Sequence, residues 1–493
     1  MSKYVLALDL GTTGNKAIVF DKQGNTIASA YSEFPQIFPK EGWVEHNPND
    51  IWETALKVIA IVIEKVGAKN IQAIGITNQR ETTIIWDKKT GKPLYNAIVW
   101  QCRRTENICK HFSQFKKLIK EKTGLFLDPY FSATKIKWLI DNVEDVNKKV
   151  KSKDALFGTV DSWILYNLTA GKCHATDITN ASRTMIFNIK TLEYDEELLN
   201  LFEIPRHLLP QVFPSNHLFG YTNKKLFGKE IPITGIIGDQ QASLFAHGGW
   251  RNGLIKNTYG TGLFIMTSTK SKIYYSDNLI STIAWQIDND VEYALEGSIF
   301  VGGSLIQWLR DGLGIINDTK EVEDLAKKVN SSENVVFVPA LTGLGAPYWD
   351  PSARGLVIGI TRGTTKEHIA RAALEGIAFQ TRDVFEEFVK TTKNEIDFST
   401  LAVDGGASKN NFLMQFQADI LGIDIERPYI TESTALGAAA MAAISTGFWD
   451  KNNILKIREI EKEFKPKMDN KTRKKIYNKW LNALQRSLNW AKD

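Results

Sequence analysis

The chain carries only three cysteines in 493 residues. Cys102, Cys109 and Cys173 form no C-x-x-C pair, and an odd, widely spaced set excludes a disulfide framework and fits a reduced, cytoplasmic setting. The seven histidines are scattered, with no spacing that suits a metal centre or a nucleophilic triad. No apolar run approaches the ~20 residues of a membrane span. The first apolar stretch meets Asp9 too soon for a secretory signal, so the glycosylation-type matches at Asn167 and Asn180 read as chance. Acids and bases nearly balance, 56 against 61, and no polybasic arm appears, so neither a nucleic-acid nor a membrane partner is expected. Two common phosphate signatures, G-x-x-x-x-G-K-[ST] and G-x-G-x-x-G, are also missing.

What is present is an apolar supply of 43% in a chain too long for one ordinary core, which predicts two large domains or three average ones. Val5 to Leu8, Lys16 to Phe20 and Thr26 to Ala30 read as strands, separated by a Gly-Thr-Thr-Gly turn and by Asp21-Lys22-Gln23-Gly24-Asn25. Ile51 to Val66 has helical spacing behind an Asn-Pro-Asn-Asp start, and Ile71 to Thr77 returns as a buried strand. The same grammar recurs at Gly253 to Thr258, Tyr259-Gly260-Thr261-Gly262 and Leu263 to Thr267, which predicts an internal duplication. The glycine-rich stretch from His247 to Gly253 is the natural boundary, dividing the chain into 1–248 and 249–493. Further on, Thr364 to Glu367 reads as a capping box for a long helix. Leu401 to Val403 reads as a strand entering Asp404-Gly405-Gly406, and Asp469 to Trp490 as an amphipathic helix with Ile476, Trp480, Leu484 and Leu488 on one stripe.

Three glycine turns therefore follow strands, at Gly11 to Gly14, Gly260 to Gly262, and Gly405 with Gly406. One such turn usually just reverses the chain. Three, on both halves, suggest a nucleotide held across a cleft. Asp9 at the mouth of the first turn would repel a phosphate unless a hard cation bridges them, so Asp9 is the candidate Mg²⁺ partner. The alternative is an Asx turn cap. Two polar clusters also end apolar strands: Asn78-Gln79-Arg80-Glu81 after Ile71 to Ile76, and Asp239-Gln240-Gln241 after Ile236-Ile237. Asp239 is the better proton acceptor for an attacking alcohol. Arg80, Glu81 and Gln240 suit the hydroxyls of a polyol, although a local ion pair at Arg80 and Glu81 and helix capping at Asp239 are the plainer alternatives.

The segments LDLGTTGNKA, GWVEHNP, IGITNQRETT, DPYFSATKIKW, TDITNASRTMIFN, GDQQASLFAHG, KNTYGTG, ALEGSIF, VDGGASKNNFLMQFQAD and TALGAAA together resemble the glycerol-phosphorylating members of the carbohydrate kinase family. The resemblance runs end to end. It implies two ribonuclease H-like, actin-type α/β domains flanking a deep ATP and substrate cleft, with ATP and Mg²⁺ as co-substrate and metal. It implies that Arg80, Glu81, Tyr130, Asp239 and Gln240 hold glycerol, that Trp100 and Phe264 wall its carbon chain, and that Asp239 is the general base. Thr12, Thr13, Lys16 and Thr261 would contact phosphates, while Gly303, Gln307, Gly406 and Asn410 would line the nucleotide site. A homodimer or homotetramer is also implied. Lys16 departs from the arginine of many members. Asn223 to Gly228 replaces a glycine-rich loop that binds fructose 1,6-bisphosphate in some relatives, and Lys225 stands near a phosphorylatable histidine of others, so neither form of regulation is expected here.

Overall fold

A computed structural model of the chain describes residues 3–430 and 432–491. Its first sheet is built around Tyr4–Leu10, in which Val5, Leu6, Ala7, Leu8 and Leu10 are all buried. A strand apolar on both faces must be covered on both, which places it centrally. It pairs in parallel with Ile71–Asn78, and that strand pairs in parallel with Pro232–Gly238. On its other side it turns back antiparallel into Gly14–Phe20, which continues antiparallel into Thr26–Glu33. The helix Pro48–Val66 starts at Asn47, whose side chain accepts from the Asn49 N–H at 3.0 Å, and lays Ile51, Ala55, Val58, Ile59 and Val62 onto this sheet.

The second sheet repeats that plan. Leu254–Tyr259 pairs in parallel with Thr400–Asp404, which pairs in parallel with Asp424–Pro428; its other edge turns antiparallel into Leu263–Lys270 and on to Asp290–Ile299. The internal duplication expected from the two glycine turns is thus present as a shared core plan, a parallel trio and an antiparallel hairpin in each sheet, with seven strands in the second sheet against six in the first.

Between the sheets lies a seam of small residues. The helix Ser433–Ser445, sequence STALGAAAMAAIS, is buried almost along its whole length and packs on Asp239–Ala246 and on the parallel strands of the first sheet. Glycines make the approach possible. A Cβ on Gly437 would lie 2.0 Å from the Ala242 carbonyl oxygen, and one on Gly75 would lie 2.0 Å from that of Ala438. Gly437→Leu should force the backbones apart and cost ~1–3 kcal/mol or more. A calorimetric melting temperature lower by several degrees is the expected result, and an unchanged one would show that the seam yields without strain.

Two boundaries differ from the sequence reading. The long helix Lys366–Thr391 is capped by Thr365, but the box closes on His368, whose Nδ1 accepts from the Thr365 N–H at 3.2 Å; Glu367 does not close it. The last helix runs Asn470–Leu484 and not to Trp490. Trp480 and Leu484 are buried, Ile476 and Leu488 pack against the same core, and Ser487 Oγ donates to the Leu484 carbonyl at 2.8 Å after the helix has ended.

Candidate functional site

The parallel strand Ile71–Asn78 ends beneath the first glycine turn, where Gln79 Nε2 donates to the Gly11 carbonyl at 3.0 Å. Glu81 then takes a left-handed backbone, φ 62°, a conformation held because its carbonyl accepts from Thr83 Oγ1 at 3.1 Å and Ser132 Oγ at 3.0 Å. This turn throws Arg80 and Glu81 inward. The local ion pair that their adjacency allows is present but long, 3.9 Å between Arg80 Nε and Glu81 Oε1. The shorter contacts of Arg80 cross to the second sheet, where Nη1 and Nη2 donate to the two carboxylate oxygens of Glu296 at 2.7 and 2.9 Å. Glu81 receives Arg183 Nε at 2.5 Å, and Arg183 also reaches Glu296 at 3.3 Å. All four side chains are buried, and burial alone would raise both carboxyls. For Glu296 the two guanidiniums prevail and hold it low, at about 2; for Glu81 burial prevails and its pKa is raised.

Asp239 opens the helix Asp239–Ala246 at the carboxyl end of Pro232–Gly238. Its Oδ1 accepts from the Gln240 N–H at 2.7 Å and pairs with Arg80 Nε at 3.1 Å, while 28% of its side-chain surface stays open. Burial raises its pKa against the opposing pull of Arg80. Helix capping, the plainer reading of Asp239, does not apply, since Gly238 is the N-cap and Asp239 is the first helical residue. Asp9 stands across the first hairpin from Lys16 and beside Thr77 of the parallel neighbour. Burial, then the charges of Asp239 and Glu432, push it up to about 7 despite Lys16. The Lys16 ammonium that opposes this rise is itself paired with Glu432 Oε1 at 2.8 Å.

An aromatic wall closes one side. Trp100 packs against Tyr130 with ring centroids 5.6 Å apart and edge-on against Phe264 at 6.2 Å. Its Nε1 donates to Thr12 Oγ1 at 3.0 Å, so one side chain links the first glycine turn to the strand that follows the second. The Thr12 hydroxyl proton remains free for another acceptor. Thr13 is exposed at the turn.

On the second half, the turn Gly260-Thr261-Gly262 supports the start of the helix Gly303–Asp311: the Gly303 N–H donates to the Gly260 carbonyl at 2.8 Å and Ser304 Oγ to the Thr261 carbonyl at 2.9 Å. Gly405, φ 84°, fits against Tyr259, and a Cβ there would lie 2.5 Å from the Tyr259 carbonyl. Gln307 and Gly406 are exposed, and a Cβ on Gly406 would meet nothing. The Asn410 side chain is engaged elsewhere, as the N-cap of Asn411–Leu421, accepting from Leu413 N–H at 2.9 Å.

Sequence reading missed Glu296, Arg183 and Lys256. Each is a charge inside a buried stretch, and an ionisable residue that cannot reach water is the signal that could have found them. Asp404, at the end of Thr400–Asp404, is likewise buried between the halves, receiving Ser243 Oγ at 2.8 Å, His247 Nε2 at 3.0 Å and Ser433 Oγ. The cysteines are free, as expected.

Residues 4–246 match the N-terminal domain of the FGGY family of carbohydrate kinases and residues 255–446 its C-terminal domain. Glycerol kinase 2 of Thermotoga maritima is 56% identical over 496 residues, covering 99% of this chain and 100% of that one. Glycerol kinase of Aquifex aeolicus is 55% identical, with 99% of each chain covered. Among solved structures, Plasmodium falciparum glycerol kinase with ADP superposes with a TM-score of 0.93 at 38% identity, covering 99% of both chains. A gluconate kinase from Lactobacillus acidophilus gives 0.88 at 26% identity, covering 98% of this chain and 97% of that one.

Proposed function

The chain belongs to the FGGY family of carbohydrate kinases, with their actin-type two-domain fold, and from that premise we infer its reaction. It is an ATP-dependent kinase that phosphorylates glycerol to sn-glycerol 3-phosphate. The observation that carries this reading is the whole-length likeness to glycerol kinases, joined to a polar cluster that offers both donors and an acceptor to a polyol beside an aromatic wall.

In the mechanism we propose, Arg80, Glu81, Tyr130 and Gln240 hold the glycerol hydroxyls, and Trp100 and Phe264 cover its carbons. Asp239 has Oδ1 committed to Gln240 N–H and Arg80, which leaves Oδ2 to take the proton of the terminal hydroxyl. The oxygen then attacks the γ-phosphorus in line as ADP leaves, with catalysis coming mostly from positioning. Thr12, Thr13, Lys16 and Thr261 serve the phosphates, and Gly303, Gln307, Gly406 and Asn410 the nucleotide. For Lys16 this requires release from Glu432, and for Asn410 a role beside its cap. Asp9 fits Mg²⁺ as a carboxylate oxygen donor beside the first glycine turn, facing the further negative charges of Asp239 and Glu432. When bound, the ion would neutralise phosphate charge at Asp9.

We place the division between the halves at 248/249, in the turn after Asp239–Ala246; the two family matches, ending at 246 and resuming at 255, support it. A homodimer or homotetramer in the cytoplasm is proposed on the family's habit. No helix among the described residues is long and apolar enough to cross a membrane.

The reaction is tested by following ADP and phosphorylated product with ATP, excess Mg²⁺ and glycerol, dihydroxyacetone, xylulose, gluconate or no acceptor. Glycerol should dominate by kcat/KM. Dominance by a sugar would overturn the role given to Arg80 and Glu81, and equal ADP without acceptor would make the protein an ATPase. Trp100→Ala should raise the KM for glycerol ~10-fold, the worth of a lost apolar wall, with the KM for ATP moving less; the reverse pattern would move Trp100 to the nucleotide side.

A further inference from the structure

Lys256 lies in Leu254–Tyr259 with its side chain fully buried, an expensive place for an ammonium. Burial lowers its pKa to about 8, against the pull of Asp404, Asp239 and Glu296. Arg80 and His247 are the other ionisable groups facing it. Its three hydrogens each find an oxygen: Gln240 Oε1, Thr258 Oγ1 at 2.8 Å and the Phe264 carbonyl at 3.2 Å. Two of these three partners belong to the residues assigned to the acceptor.

The chemistry of the pair fixes an orientation. An ammonium has three donors and no acceptor, so the Gln240 amide must present its oxygen to Lys256 and turn its NH₂ the other way. A glutamine without that neighbour could rotate by half a turn and offer an oxygen instead. The same ammonium anchors the backbone of Phe264, whose ring forms the wall with Trp100. One buried charge therefore ties the polar side of the site to the apolar side.

We propose that Lys256 is a positioning residue for the phosphoryl acceptor, holding Gln240 with its amide oxygen inward so that the Nε2 hydrogens face a hydroxyl of the bound polyol. This rests on the reading of Gln240 as an acceptor ligand. No proton moves through Lys256 in this role; its ammonium only orients.

The test is a double-mutant cycle in the full-length protein: wild type, Lys256→Met, Gln240→Ala and the pair, assayed with ATP and the polyol that the wild type phosphorylates best. Lys256→Met should raise the acceptor KM ~10-fold or more, the loss expected when a hydrogen bond to the ligand is misaligned, with the KM for ATP within ~2-fold. In the Gln240→Ala background the same change should move the acceptor KM by less than ~3-fold, because the group it orients is gone. Lys256→Arg, which keeps the charge and the donors, should recover part of the loss, and Lys256→Leu takes the place of Lys256→Met in the cycle if the methionine variant melts before assay temperature. Effects that multiply, or equal shifts in both KM values, overturn the proposal. A wrong acceptor would appear in the wild type alone, whereas a wrong role for Lys256 would appear only in the cycle.

Discussion

Asp239→Asn should lower kcat by ~10²–10⁴, the usual share of a general base, while the KM for ATP stays within ~3-fold. Asparagine keeps an oxygen for the Gln240 N–H and for Arg80, so the geometry around it survives. What it cannot do is accept the hydroxyl proton. The fold should not suffer either. The Asp239 carboxyl binds its proton more tightly in the folded chain than in the unfolded one, so its ionised form costs stability once pH rises past its unfolded value. The asparagine variant should accordingly melt no lower than the wild type at neutral pH, which separates a chemical loss from an unfolded sample. A near-normal kcat would remove Asp239 from the role of base.

Glu296→Ala should be the most damaging change to both stability and acceptor binding. It leaves the buried guanidiniums of Arg80 and Arg183 without the carboxylate they share. Breaking a buried pair from one side costs ~3–5 kcal/mol, because the remaining charge stays out of water. That predicts a melting temperature lower by ~3–10 °C and a glycerol KM higher by ~10² as Arg80 loses its anchor. Glu296→Gln, which still accepts one hydrogen bond, should fall between. A melting temperature within ~2 °C of wild type would mean that Arg80 is held by Gln241 and Asp239 instead.

The contrast between these two residues shows what a sequence can carry. Asp239 sits where an apolar strand gives way to polar residues, a local pattern that chain order alone displays. The glycine turns and the strands around them are legible for the same reason, since turn chemistry and alternation act over a few residues. Glu296 meets Arg80 across 216 positions, and Lys16 meets Glu432 across 416. No local rule links such pairs; they arise from two sheets being brought face to face. The smaller misses have the same origin. His368 closes the cap of the long helix in place of Glu367, and the last helix stops at Leu484, beyond which Ser487 bonds back to the Leu484 carbonyl and Leu488 packs onto the core.

The seam around Ser433–Ser445 has a further meaning. Its helix is largely alanine and glycine, and it faces alanines at 242, 246 and 73. These side chains have no rotamers to lose, so assembling the seam costs little side-chain entropy. By the same token, sliding one half along the other unlocks no interdigitated side chains. Resistance to such a slide comes from apolar area, from the hydrogen bonds that gather on Asp404, where Ser243 and His247 of one half meet Ser433 of the other, and from the Arg80 and Arg183 pairs with Glu296. A protein that must admit two substrates thus has, at its centre, a bearing surface smooth on the scale of a methyl group, pinned by buried carboxylates at Asp404 and, toward the site, at Glu296.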